Sequence, residues 1–370
     1  MIPVNEPVIG EAEEKYIIDC VRSGWISSEG EYVGKFEAAL AEYVGKRSGI
    51  AVCNGTAAVE TALYAAGVKD GDEVILPTFT IMSCALAILR LGAKPVLVDI
   101  EPDTWNMDAS QVRSSITEKT KAILVVHIYG HPVDMDQILE AVAGTDIKVV
   151  EDAAESLGAE YKGEKCGSLG DVSAYSFYAN KIVTTGEGGM VLTDNLEIEE
   201  RARSYRNLCF NSQERFLHDD IGYNFRMSSL QAAVGLGQMQ RLEQNVKRKR
   251  EMGELYVSLL SRIKGLQCQV EKPWAKTVYW MYSVQLDPSL GKTAKEIMSE
   301  LRERGIGTRP FFRGLHDQPA LQQRGVVPVK GVFPAADAAY KFGFYLPSGL
   351  TLTDEHITEV CTSLKEILES

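Results

Sequence analysis

The chain has 370 residues, 45% hydrophobic and 24% charged, a balance that suits a globular protein with a large core and more than one domain. Lysine and arginine number 39 against 51 aspartates and glutamates, a net charge of −12, which argues against nucleic acid or an anionic membrane surface as a partner. No apolar run reaches membrane-span length, and Met1 to Pro7 lacks the basic-then-apolar pattern of a secretory signal, so a cytoplasmic location is expected.

Seven short apolar runs read as strands: Gly49 to Cys53, Glu73 to Leu76, Pro95 to Ile100, Ala122 to Ile128, Lys148 to Val150, Val172 to Tyr178 and Met190 to Thr193. Helical patterns separate several of them: alanine-rich Thr56 to Ala66, apolar Ser83 to Leu91, and Asp134 to Ala143 with an aspartate suited to capping. Alternating strand and helix predicts an α/β fold with a mostly parallel seven-stranded sheet. Ser228 opens a long amphipathic stretch that reads as one helix to about Leu260, with the run Lys247-Arg248-Lys249-Arg250 on its solvated face. Beyond it, Val278 to Leu286 reads as a strand, and Lys295 to Arg304 and Thr353 to Leu368 as helices. The expected division is a large domain over 1–245 and a smaller α+β domain over 246–370. The seven cysteines are scattered with no C-x-x-C pair, as expected of reduced thiols in a cytoplasmic protein.

Lys181 lies between a strand pattern and the glycine-rich Thr184 to Gly189. Alone it reads as a surface lysine beside a turn, or as an amine desolvated at a strand end and able to form a Schiff base. Asp152 ends the strand before Ala153-Ala154-Glu155 and reads as a helix cap, or as the partner of a cation or a protonated ring nitrogen. Asn54-Gly55-Thr56 leads into a helix whose free N–H groups suit an anion, although it matches neither common nucleotide loop. Phe79 at another strand end could stack on a flat cofactor or belong to the core, and Ser176 could reach a phosphate. Together these supply a phosphate cradle, a stacking ring, an acid and a Schiff-base lysine, the set that pyridoxal 5'-phosphate requires.

The motifs Gly24-Trp25-Ile26-Ser27, Asn54-Gly55-Thr56, Pro77-Thr78-Phe79-Thr80, His127-Ile128-Tyr129-Gly130, Glu151 to Glu155, Ser176 to Lys181, Gly186 to Gly189, Gly222 to Met227 and Arg309-Pro310 run almost end to end. As a set the chain resembles the DegT/DnrJ/EryC1/StrS sugar aminotransferases of the fold-type I pyridoxal-phosphate enzymes. It is most similar to perosamine-forming members, which aminate C4 of GDP-4-keto-6-deoxymannose with L-glutamate. Other members aminate C3 of keto sugars or keto-cyclitols, and dehydratase members carry His in place of the lysine. The resemblance implies that Lys181 holds the cofactor and shuttles protons, Asp152 pairs with the pyridine nitrogen, and Glu155 lies near O3′. It implies further that Phe79 stacks on the ring and that Gly55, Thr56 and Ser176 bind the phosphate. Asn224 would reach the partner subunit's cofactor in a homodimer, and Trp25, Tyr129, Arg309 and His316 would face the sugar. The chain departs from the family at Cys84-Ala85-Leu86, where a small residue and Asn are usual, and at Gly314, where Pro is frequent.

Overall fold

The computed structural model describes residues 1–369 except 212, 215 and 328–331. All seven predicted strands form one sheet: β1 (Ser48–Val52), β2 (Glu73–Pro77), β3 (Lys94–Val98), β4 (Thr120–Val126), β5 (Lys148–Asp152), β6 (Val172–Ser176) and β7 (Gly189–Thr193). Their order is β1-β7-β6-β5-β4-β2-β3. Only β7 runs against its neighbours, pairing antiparallel with both β1 and β6. The strands are apolar on both faces because both faces are covered. Alternate residues serve two cores: Val74, Leu76, Leu124 and Val150 join one, while Ile75, Ile123, Val125 and Val149 join the other. The β6 strand ends two residues before the predicted Tyr178, because Phe177 bonds instead to Gly188 and Thr185 across a turn.

The flanking helices are α1 (Glu11–Ser23), α2 (Glu31–Val44), α3 (Gly55–Ala65), α4 (Met82–Arg90), α5 (Met135–Val142) and α6 (Leu196–Tyr205). The predicted long helix is two, α7 (Ser229–Met239) and α8 (Leu242–Leu260). At the break Arg241 leaves helical geometry (φ −117°, ψ 12°), and its guanidinium pairs with the fully buried Glu13 of α1 and donates to Val8 O. Glycines on α7 let it sit close to α1 and α2. A Cβ at Gly235 would lie 2.6 Å from the Phe36 ring, and one at Gly237 2.9 Å from the Glu13 backbone. A buried carboxylate needing a cation thus overrides the helical periodicity at Arg241.

Helix α8 begins in the large core with Leu242 and Val246 and ends in a second with Met252, Tyr256 and Leu260. That second core is built on β8 (Leu266–Cys268), β9 (Tyr282–Leu286), β10 (Arg309–Pro310) and β11 (Gly343–Leu346), in the order β8-β9-β11-β10. Helices α9 (Ala294–Glu303), α10 (Pro334–Phe342) and α11 (Asp354–Glu369) complete this half. The predicted strand from Val278 starts only at Tyr282, because Thr277 and Val278 bond to Gly130 O and Tyr279 takes a positive φ of 47°. Phe311, Leu315, Phe333, Ala336 and Ala339 fold back onto the large core. Among the described residues no helix is long and apolar enough to cross a membrane.

Candidate active site

The parallel strands end on one side of the sheet, and the site gathers there. After β6 the chain leaves the sheet, and Lys181 N–H bonds back to Tyr178 O at 2.9 Å. The Lys181 side chain is 12% exposed, with Nζ 3.6 Å from Glu155 Oε1 and 3.7 Å from the Trp280 ring centroid. Burial lowers the proton affinity of the amine, against the opposing pull of Glu155 and Asp152.

Asp152, the last residue of β5, accepts hydrogen bonds from Ala154 N–H at 3.0 Å and from the Cys84 thiol at 3.2 Å. No helix follows it, so the cap reading fails. Burial pushes its carboxyl above the usual range, and the two donors only partly offset this. Glu155 accepts from Tyr129 N–H at 2.9 Å and is likewise raised by burial.

Beside this group lies an anion cradle. Asn54 caps α3 through Ala57 N–H at 2.8 Å, leaving the Gly55 and Thr56 N–H groups at the helix start. A Cβ on Gly55 would lie 2.7 Å from Ser176 Cβ, so glycine is what lets the strand-end hydroxyl approach the helix. Thr56 Oγ1 donates to Ser83 Oγ at 3.0 Å. Ser83 and Cys84 are adjacent on α4, so one helix start touches both the cradle and the acid. An under-donated buried carboxylate, a desolvated lysine and a helix-start cradle with hydroxyls match the three polar ends of pyridoxal phosphate.

The sequence pattern of the DegT/DnrJ/EryC1/StrS aminotransferase family matches residues 7–365. This chain belongs to that family. It is 38% identical to the GDP-perosamine synthase of Escherichia coli O157:H7 over 99% of this chain and 98% of that protein. Its fold is that of the aminotransferase TlmJ from Streptoalloteichus hindustanus, with a TM-score of 0.92 at 32% identity, covering 100% of this chain and 99% of that one. Spr1654 of Streptococcus pneumoniae in its PLP form matches at a TM-score of 0.92 and 27% identity, covering 100% of this chain and 98% of that one. The protein is a sugar aminotransferase.

Around this family site the structure joins Lys181, Asp152, Glu155 and Tyr129 in one buried cluster and sets Gly55, Thr56 and Ser176 together at the start of α3. Tyr129 is fully buried at a positive φ of 51°. Its ring stacks near Phe312 (5.9 Å, 7°) and Trp280 (6.4 Å, 15°). Phe79 is fully buried, edge-on to Tyr129, Phe311 and Phe312, so its ring shows no open face for stacking. His316 is also buried. Its Nδ1 meets Thr78 Oγ1 at 2.7 Å and its Nε2 meets Asp337 Oδ1 at 3.0 Å, which leaves neither nitrogen free for a sugar. Both are read better as parts of the packing that fastens the C-terminal segment to the end of β2. Trp25 is 59% exposed after α1. Asn224 lies on an exposed segment, accepting from Arg226 Nε at 3.0 Å. Arg309 is exposed on β10, paired in register with Tyr345.

Sequence reasoning missed four neighbours. Ser83 and Cys84 open a stretch read as an apolar helix, with Cys84 noted besides only as a departure from the family. Trp280 comes from a strand pattern a hundred residues beyond Lys181. Tyr345 lies close enough to Glu155 and Arg309 to feel both charges: burial and Glu155 push its hydroxyl up to about 12 while Arg309 opposes. None carries a local motif, and only the fold brings them to the pocket.

Proposed function

We propose that this sugar aminotransferase moves the amino group of L-glutamate to C4 of GDP-4-keto-6-deoxy-D-mannose, giving GDP-perosamine. The 38% identity to a GDP-perosamine synthase across nearly the whole of both chains carries the substrate reading. The neighbourhood of Lys181 carries the chemistry. Pyridoxal phosphate, when bound, supplies an electron sink that stabilises negative charge at the reacting carbon.

The chain's own residues do the rest. Lys181 would hold the cofactor covalently and, once released, carry a proton as a base. Its burial favours the neutral amine that this requires. Asp152 would face the ring nitrogen and keep it protonated. A carboxylate raised by burial gains a cation there, so the pairing relieves a cost already built into the apoprotein. Glu155 would sit near O3′ and hold the released ammonium close at hand. Gly55, Thr56 and Ser176 would bind the phosphate through backbone N–H groups and hydroxyls. Asn224, exposed on its loop, suits a role at the partner subunit's cofactor in a homodimer. All seven cysteines are free, which suits a reducing compartment such as the cytoplasm.

The test is a panel of 4-keto-6-deoxy sugars on GDP, dTDP and UDP, with glutamate as donor and 2-oxoglutarate release as the signal. The GDP-linked mannose derivative should be turned over fastest. Faster turnover of a dTDP- or UDP-linked sugar would overturn the substrate assignment while leaving the aminotransferase chemistry standing.

A further inference from the structure

Trp280 has no part in the chemistry above, yet its side chain touches both Lys181 and the residue before it. The amine lies 3.7 Å from the centre of its ring, well inside the range at which an aromatic face attracts a cation. The indole Nε1–H donates to Asn180 O at 2.8 Å, the carbonyl immediately before Lys181. One residue therefore holds both the lysine's head and the peptide that carries it.

Trp280 is itself firmly held. It is buried and stacked near Tyr129. Its own carbonyl accepts from the buried Lys249 Nζ at 2.7 Å, and that amine also bonds Ser348 O. A side chain fixed from both ends can present its ring face at a constant place. The charged and titratable groups that face Lys181 are Glu155, Asp152 and Cys84. Both carboxylates favour the ammonium, burial disfavours it, and the ring adds to the carboxylates' side.

We propose that Trp280 is the positioning residue of Lys181: the indole face is the seat of the free amine, and the indole N–H fixes the peptide from which it reaches. This rests on the reading that Lys181 is the cofactor lysine. In a reaction that frees the lysine and then needs it as a base, a defined seat returns the amine to one geometry each time, which is worth more than a mobile side chain of equal basicity.

The test uses the full-length apoprotein and the rate at which it covalently captures added pyridoxal phosphate, followed by absorbance across pH. Borohydride reduction and mass spectrometry confirm capture at Lys181, and circular dichroism confirms folding. The wild-type rate should rise with pH through a midpoint set by the amine. Trp280→Leu removes the ring face and should lower that midpoint by about half a unit or more. Trp280→Phe keeps a face but loses the N–H, so its midpoint should stay near wild type while its limiting rate falls severalfold. An unchanged midpoint in a folded Trp280→Leu, or an unchanged limiting rate in Trp280→Phe, overturns the proposal. The Phe variant decides alone if the Leu variant does not fold. Failure of the wild-type protein to capture pyridoxal phosphate at Lys181 would instead overturn the reading of the lysine, and the inference with it.

Discussion

Glu151 and Asp152 are consecutive, both buried, and on opposite faces of the same strand, yet they have opposite fates. Glu151 accepts from His127 Nε2–H at 2.9 Å and from the N–H groups of Gly167, Leu169 and Gly170 at 2.7, 2.8 and 2.5 Å. His127 Nδ1 accepts from Val133 N–H at 3.0 Å, which leaves the ring proton on Nε2. Burial alone would raise the Glu151 carboxyl, but His127 and these backbone donors outweigh it and hold it below the usual range. Among the described residues Asp152 has two donors, Ala154 N–H and the Cys84 thiol, and is raised. A buried carboxylate given its full set of donors ties loops together. One left short of donors, beside a desolvated lysine, is suited to a ligand that brings its own positive charge.

The largest expected effect is on the ligand side. Lys181→Ala should reduce turnover by at least about 10³-fold and abolish the borohydride-reducible adduct. Wild-type activity in that variant would dissolve the contrast between the two faces.

Next is the direct exchange. Asp152→Asn should lower kcat about 10²-fold or more while leaving the thermal stability of the apoprotein nearly unchanged. Glu151→Gln should cost about 3 kcal/mol, because an amide NH₂ would then face N–H donors, and should spare catalysis in the protein that remains folded. Equal destabilisation by the two variants would break the comparison.

Stability against pH sharpens it by sign. Glu151, lowered on folding, stabilises above the unfolded carboxylate range, and this is lost as pH falls through its folded value. Asp152, raised on folding, contributes most below that range and loses its contribution as pH rises through its folded value. Urea unfolding of the apoprotein between about pH 3 and 6 should therefore show a weaker gain with pH in Glu151→Gln and a steeper one in Asp152→Asn.

Smaller is the effect of Glu155→Gln, which removes one charge that favours the Lys181 ammonium. The midpoint of pyridoxal phosphate capture should fall by about one unit, and a rise would reverse the assigned electrostatics. Smallest is His316→Ala. Loss of its bonds to Thr78 and Asp337 should cost about 1–2 kcal/mol of stability with little change in KM for the nucleotide sugar. A large rise in KM would return His316 to the sugar pocket.

The sheet and the gathering of the candidate residues at its strand ends were legible in the sequence because each rests on a local cause. Strands covered on both faces must be apolar runs, a helix start must offer free N–H groups, and a glycine must stand where Ser176 closes on α3. The position of Lys181 just past a strand is equally local. What failed to read locally involved partners far along the chain. The break at Arg241 answers a carboxylate on α1. The packing of Phe79 against Phe311 and the bond between His316 and Thr78 each join residues more than two hundred positions apart.

By itself, then, the sequence determined the α/β layering, the family motifs and which residues could bear a Schiff base, an anion or a proton. Only the tertiary structure decided which of two adjacent acids is satisfied by donors and which is left short of them. It alone placed Trp280 beneath the amine, because proton affinity depends on burial and on every donor, charge and ring face within reach, and those come from the whole chain.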